Sequence, residues 1–359
     1  MDKRLALLSQ WALEQAQLLT NQPLNPILDV VSGDASFRRY FRLLTEKEAE
    51  IPSTWICVDA PPEKEDNHKF VNIARNWSDH GIAVPKVLAF DEAQGFMLLE
   101  DFGDQMLSPL LMEADTYADA GHYYQQSLTA LLGIQKLEQQ ALPAYDMALL
   151  QQEMSLFPDW LCEKKLGLNL SDDERSMMQQ AFDLLAQSAL DQPQVPVHRD
   201  YHCRNIMIKP NQAIGIIDFQ DAVVGAITYD PVSLLKDCYI KWPRQQVLAW
   251  LEAYYSQLQQ QRMLADNTDF ATFTRWFDWM GIQRHLKAAG IFARLELRDG
   301  KTGYLPDIPR TCQYLVENTA LYPEFAAFNT WLKDTFIPAL NAKLTPYDQA
   351  TDIAYRELS

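Results

Sequence analysis

Val197-His198-Arg199-Asp200-Tyr201-His202-Cys203-Arg204-Asn205-Ile206-Met207-Ile208, followed by Gly215-Ile216-Ile217-Asp218-Phe219-Gln220, is the stretch of this 359-residue chain on which its fold turns. Apolar runs flank a polar loop that carries Asp200 and Asn205 five positions apart, and a third apolar run over 214–217 ends in Asp218. The pattern predicts short strands around polar loops over 195–219, interrupting a second half that otherwise reads as helix.

Working upstream, residues 27–31, 37–44 and 55–58 have strand character, and Gly33 marks the turn of a hairpin. Phe70, Ile73, Ala74 and Trp77 share one face of a helix over 67–80, and two further strands are expected at 87–90 and 96–99. At the N-terminus Leu5, Leu8, Trp11, Gln15 and Leu18 read as one side of an amphipathic helix, not as a signal peptide, because Ser9, Gln10 and Glu14 break the apolar run. From Asp104 onward the periodicity is helical over 117–137 and 148–165. Ser171 and Glu174 form a capping box ahead of the next helix. Helices resume from Pro231 to near Leu340, with breaks at Pro243, 266–268 and 300–306. The fold class is therefore α+β, with a small β-rich lobe carrying one helix joined through Glu100-Asp101-Phe102-Gly103 to a larger helical lobe.

Composition narrows the partners. A hydrophobic content of 48% with 22% charged residues is an ordinary globular balance. The formal net charge of -17 repels a phosphate backbone and argues against nucleic acid. The five cysteines are scattered without a CxxC pair, as expected of reduced thiols in a cytosol, with Cys203 a small filler. No stretch approaches the roughly 18 apolar residues that a membrane span needs, so a cytoplasmic protein is expected.

Phosphoryl transfer from ATP passes through a loose transition state, so a protein mainly positions the reactants and neutralises charge. One carboxylate accepts the proton of the acceptor hydroxyl, and magnesium is held by oxygen ligands such as a carboxylate and an amide. Asp200, Asn205 and Asp218 supply those groups. The kinase signature H-R-D-x-x-x-x-N is met in full by residues 198–205, and Asp218-Phe219 matches the first two letters of the metal-binding D-F-G.

Where protein kinases usually carry lysine two positions after the base, this chain has His202, and no A-P-E follows Asp218. The resulting HxDxHxxN resembles the aminoglycoside phosphotransferase and choline kinase superfamily, as does Ile217-Asp218-Phe219-Gln220-Asp221-Ala222 with Thr228-Tyr229-Asp230-Pro231. Ser32-Gly33-Asp34-Ala35-Ser36-Phe37-Arg38-Arg39-Tyr40-Phe41, Asp59-Ala60-Pro61-Pro62-Glu63, Leu99-Glu100-Asp101-Phe102-Gly103 and Ile291-Phe292-Ala293-Arg294-Leu295 are similar to bacterial N-acetylmuramate/N-acetylglucosamine kinases, over about residues 30–320. The resemblance implies a protein-kinase-like bilobal fold, with a nucleotide-binding lobe and hinge over 1–103 and a helical lobe over 104–359 holding the catalytic loop and acceptor pocket. It implies phosphorylation of the anomeric hydroxyl of an amino sugar recovered from the cell wall, with ATP and Mg2+ and no membrane partner. By the same resemblance Asp200 is the base, accompanied by His202, while Asn205 and Asp218 hold magnesium. Ser32, Gly33, Asp34, Ala35, Ser36, Arg38 and Arg39 cover the phosphates, and the backbone at Glu100 and Phe102 meets adenine. Arg204, Gln220, Asp221, Arg284 and Arg298 are assigned to the acceptor.

Two points stay open. The third strand ends in Asp59 where V-A-I-K would place a phosphate-pairing lysine, and Arg38 or Arg39 is expected to supply the missing charge. A muramate-type acceptor carries a carboxylate that calls for one cation, for which Arg204, Lys236, Arg284, Arg294, Arg298 and Arg310 are candidates. Trp276, Phe277 and Trp279 are expected in the core because of their helical spacing. The competing readings are a kinase of choline, homoserine or an aminoglycoside, and an ATP-binding pseudokinase scaffold prompted by Asp59.

Overall fold

The computed structural model describes residues 2–21, 27–33, 37–44, 54–138 and 142–348. The chain divides into two compact units, Met1–Gln105 with Ile206–Gln220, and Met106–Asn205 with Asp221–Ser359.

The first unit contains α1 (Lys3–Thr20), β1 (Ile27–Gly33), β2 (Arg39–Leu44), β3 (Thr54–Asp59), α2 (Asn67–Asp79), β4 (Val87–Asp91) and β5 (Phe96–Glu100). Its sheet is antiparallel in the order β1-β2-β3-β5-β4. Strand alternation sends Phe41, Leu43, Trp55, Cys57, Phe96 and Leu98 to one face, which α1 covers with Leu8, Ala12 and Ala16. Of the predicted stripe Leu8 is buried and Leu5 and Trp11 pack against the same core, whereas Leu18 is 76% exposed. Two alanines in the contact let the helix lie close to the aromatic face, which a stripe of bulky residues would hold off.

Asp59 belongs to the same row, opposite Arg39 and Phe96. Its carboxylate is fully buried and takes Arg4 Nε at 2.9 Å and Nη2 at 2.5 Å from α1, together with the Arg39 guanidinium. Arg39 continues to Asp2, the N-cap of α1, and Arg4 also donates to the Gln94 carbonyl at 2.7 Å. The aspartate that stands where a kinase lysine is expected thus clamps the first helix to the sheet.

On α2, capped by Asp66, the predicted residues Phe70, Ile73, Ala74 and Trp77 are buried. Phe70 and Trp77 pack on Phe219 at 4.9 and 5.9 Å, which ties the hairpin β7 (Ile206–Ile208) and β8 (Ile214–Ile216) to this unit. Gly215 is required there, since a Cβ would come within 2.5 Å of the Phe102 ring.

The second unit contains α3 (Leu107–Met112), α4 (Tyr117–Gln135), α5 (Met147–Leu156), α6 (Asp172–Leu190), α7 (Tyr229–Leu235), α8 (Arg244–Gln260), α9 (Phe270–Asp299), α10 (Asp307–Thr319), α11 (Ala326–Trp331) and α12 (Ile337–Lys343). One antiparallel pair, β6 (Gln194–Val197) with β9 (Val223–Ala226), interrupts the helices. The helix expected over 148–165 widens to a π-helix over Phe157–Lys165, where Pro158 has no N–H to continue an α-helical ladder. The capping box at Ser171 and Glu174 is present. The 30-residue α9 starts at the N-cap Asp269 and buries most of its length, including Phe277 and Trp279. Gly290 admits the backbone of α5, because a Cβ there would lie 2.4 Å from the Leu156 carbonyl carbon. Among the described residues no helix is long and apolar enough to cross a membrane, and the five cysteines are buried and free.

Asp59→Ala removes the shared acceptor of Arg4 and Arg39 and is expected to cost ~1–3 kcal/mol of local stability. Native-state hydrogen exchange checks this: protection of the amides over residues 8–16 falls, and adding Arg4→Ala lowers it little further. Undiminished protection in Asp59→Ala would show that the clamp is not needed.

Candidate active site

The loop over residues 198–205 of the helical unit is held by backbone bonds to two buried aspartates. Asp230, in the first turn of α7, accepts the backbone N–H of His198 at 2.7 Å and of Arg199 at 3.1 Å. Asp237, just beyond α7, accepts the N–H of Cys203 at 3.0 Å and of Tyr239 at 3.1 Å. Burial pushes the Asp230 carboxyl up to about 7 against the pull of the two N–H donors. Every residue of α7 is buried, so the two anchors sit at the ends of a rigid element. Tyr201 adds a third tie, donating to the Ser127 carbonyl of α4 at 2.7 Å.

Within the loop Arg199 adopts φ 77°, a left-handed conformation unfavourable for its side chain. Its backbone bond to Asp230 and its ion pair with Glu153 of α5 hold it there. Asn205 donates from Nδ2 to the Asp200 carbonyl at 3.0 Å, which closes the loop on itself. Cys203 is fully buried, as expected of a filler, and burial pushes its thiol well above the ordinary value.

Asp200 and His202 line a cavity with Tyr229, Tyr239, Arg284 and Lys287. Cys238, Ile291 and Phe292 complete its apolar wall. Burial alone would raise the Asp200 carboxyl, but Lys287, His202, Arg284 and Arg199 together outweigh it and hold the group below the ordinary carboxylate value. Lys287 donates to the Tyr229 hydroxyl at 2.9 Å and lies 3.3 Å from Glu153. Glu153 therefore serves Lys287 and Arg199 at once, and it also accepts the Tyr145 hydroxyl. Burial, together with Arg284 and Arg204, depresses His202 more than Asp237 and Asp200 raise it, so the imidazole is neutral near pH 7.

The other acceptor candidates are not among the residues that line this cavity. Arg204 is exposed, its guanidinium 3.5 Å from the Tyr239 ring centroid. Arg298 pairs with its neighbour Asp299 near the end of α9 and is not among the cavity residues. Lys236 is paired with Asp278, and Arg310 with Asp307. The Asp221 carbonyl accepts Arg199 Nη1 at 3.3 Å. Lys287 and Glu153 escape a sequence reading, since a single lysine or glutamate on a long helix carries no local signal.

In the β-rich unit, Asp218 follows β8 with φ 65° and accepts Gln220 Nε2 at 2.7 Å. The buried Phe219 beside it fixes the turn against α2. Ser32 and Gly33 end β1 opposite Tyr40 and Arg39, while Asp34, Ala35 and Ser36 lie outside the described residues. Arg38 is buried, pairs with Glu65 at 3.1 Å and lies 5.4 Å from the centroid of Phe70 on α2. Glu65 also accepts the Phe37 N–H at 2.9 Å. By alternation Arg38 belongs to the face opposite α1, whereas Arg39 is committed to Asp59 and Asp2. Glu100 pairs with Lys209 at 3.0 Å, and the Lys209 ammonium lies 4.3 Å from the ring centroid of the buried Phe102.

The model of the phosphotransferase enzyme family matches residues 28–264 of this chain. An N-acetylmuramate/N-acetylglucosamine kinase of Pseudomonas aeruginosa is 42% identical over 82% of this chain and 84% of its own length. A protein of the same description from Pseudomonas putida is 40% identical over 90% of this chain and 94% of its own. Among solved structures, the choline kinase LicA from Streptococcus pneumoniae shares the fold with a TM-score of 0.58 at 13% identity, covering 88% of this chain and 100% of that one. The chain is a phosphotransferase of this enzyme family and belongs, within it, to the N-acetylmuramate/N-acetylglucosamine kinases.

Proposed function

We propose that the protein transfers the γ-phosphoryl group of ATP to the anomeric C1 hydroxyl of N-acetylmuramate, N-acetylglucosamine or both. The observation that carries this reading is the cavity in which Asp200 stands ionised beside two buried cations. A hemiacetal hydroxyl is more acidic than an ordinary alcohol, so a carboxylate of depressed basicity suffices to take its proton late in a loose transition state. Arg284 and Lys287 disfavour a quaternary ammonium or polyamine acceptor, which speaks against a choline or aminoglycoside substrate.

Asp200 is the base in this reading, and neutral His202 beside it adds a polar wall without a competing charge. Asn205 and Asp218 hold magnesium. An amide and a carboxylate are hard oxygen donors that suit this ion, and no cluster of three or more acidic, histidine or cysteine side chains forms a metal cage among the described residues. A magnesium ion held by these two residues would supply positive charge to offset that of the phosphates. Arg38, paired with Glu65 ahead of α2, takes the phosphate-facing place left by the lysine, and the backbone of 32–36 and of Glu100 to Phe102 contacts the nucleotide. Asp59 is accounted for as a structural carboxylate, which removes the ground for a pseudokinase.

Incubation with ATP and magnesium and a panel of acceptors, followed by phosphorus NMR, tests the reaction. The expected product shows phosphorus coupled to the anomeric proton of the amino sugar; turnover only with choline or aminoglycosides would refute the assignment. Asp200→Asn is expected to lower kcat by about 10²–10⁴-fold while ATP still binds, and full activity would remove Asp200 from the mechanism. Lys287→Met takes away the largest charge that holds the Asp200 carboxyl down, so burial raises it and the acid limb of kcat/KM moves to higher pH; an unmoved limb would contradict this role. Arg38→Ala is expected to raise the KM for ATP about tenfold, whereas an unchanged value would return the phosphate site to another residue.

A further inference from the structure

Arg284 and Lys287 lie three residues apart on α9 and line the same cavity, yet their bonding differs. Lys287 is engaged by Glu153 and the Tyr229 hydroxyl. Arg284 is only 5% exposed, and its one hydrogen bond among the described residues runs from Nη1 to the Cys238 sulfur at 3.5 Å. A thiol is a weak acceptor for a group with five N–H donors. Other deeply buried cations of this unit have a carboxylate: Lys236 has Asp278 and Lys241 has Glu317. Asp200 and Asp237 act on Arg284 through their charge, but neither makes an ion pair with it. A buried guanidinium whose donors are largely unspent, in the wall of an acceptor cavity, is built to receive an anion. Beside it, His202 Nδ1 is buried without a hydrogen-bond partner among the described residues.

We infer that Arg284 is the specificity-determining residue that receives a carboxylate of the acceptor. Resting on the function proposed above, that group is the lactyl carboxylate that N-acetylmuramate has and N-acetylglucosamine lacks. The planar fork of arginine matches a carboxylate in two parallel bonds. The preferred acceptor is then an acidic hexosamine, with the neutral sugar accepted at a cost in binding, and the contact acts on KM because it is remote from the reacting oxygen.

The test compares kcat and KM for N-acetylmuramate, its carboxyl methyl ester and N-acetylglucosamine in the wild-type protein, Arg284→Met and Arg284→Lys. The wild-type protein should use the free acid with a KM about 10- to 100-fold below that of the ester. Arg284→Met should erase the distinction between acid and ester and lose at least about tenfold more on N-acetylmuramate than on N-acetylglucosamine, with Arg284→Lys restoring part of it. Equal use of acid and ester by the wild-type protein, or an equal loss on both sugars in Arg284→Met, overturns the assignment and leaves the amino-sugar kinase standing. Failure of the wild-type protein to phosphorylate either sugar sinks both. Should Arg284→Met not fold, the acid and ester comparison in the wild-type protein decides alone.

Discussion

A carboxylate kept charged in a cavity walled by buried side chains is the constraint on which the helical unit is organised. Burial by itself would raise the Asp200 carboxyl, and the base proposed above acts only when it is ionised. The cure is a shell of cations, each of which raises the same difficulty one step further out. Lys287 is itself buried and Arg199 half-buried, and Glu153 meets both from α5 while the Tyr145 hydroxyl meets Glu153. The charge is thus stabilised by a chain of alternating partners carried on α5, α9 and the loop. Such networks hold only when each member is satisfied and rigid, and the close approach of α5 to α9 at Gly290 provides that rigidity.

The loop that presents Asp200 obeys the same rule in its backbone. Two aspartates at the ends of α7 accept four of its surrounding N–H groups, and the left-handed Arg199 is kept in place from both sides by Asp230 and Glu153. The β-rich unit uses arginine–carboxylate pairs for a different end. Arg42 donates to Asp101 at 2.7 Å, to Asp104 at 2.7 Å and to the Gly103 carbonyl at 3.1 Å, fixing the chain after β5. Asp59 fixes α1 through Arg4 and Arg39. In an acidic chain, the few cations are spent where they fasten an element or a charge.

Elements were legible wherever a local period governs the chain. The strand, helix and turn order of the first unit follows from alternation in 37–44, the stripe of Phe70, Ile73, Ala74 and Trp77, and turn residues at 91–95. The loop of Asp200, His202 and Asn205 was legible because its chemistry fixes residue types at set spacings. What escaped is long-range. Nothing local says that Asp59 faces Arg4, that α1 buries alanines in preference to Leu18, or that Phe219 packs between Phe70 and Trp77. The same holds for the division of labour between Arg38 and Arg39, adjacent residues sent to opposite faces of the sheet. Among six arginines and lysines weighed for the acceptor, only the fold singles out Arg284, by leaving it buried without a carboxylate.

The central claim is that Asp200 is ionised in its cavity because of its cation shell. Carbon-13 NMR titration of the Asp200 side-chain carboxyl, in aspartate-labelled protein with Asp200→Asn for assignment, measures this directly. The resonance is expected to titrate below the ordinary aspartate value of about 3.9. A carboxyl that takes up its proton near neutral pH would mean that burial outweighs Lys287, Arg284 and Arg199, and would contradict the account.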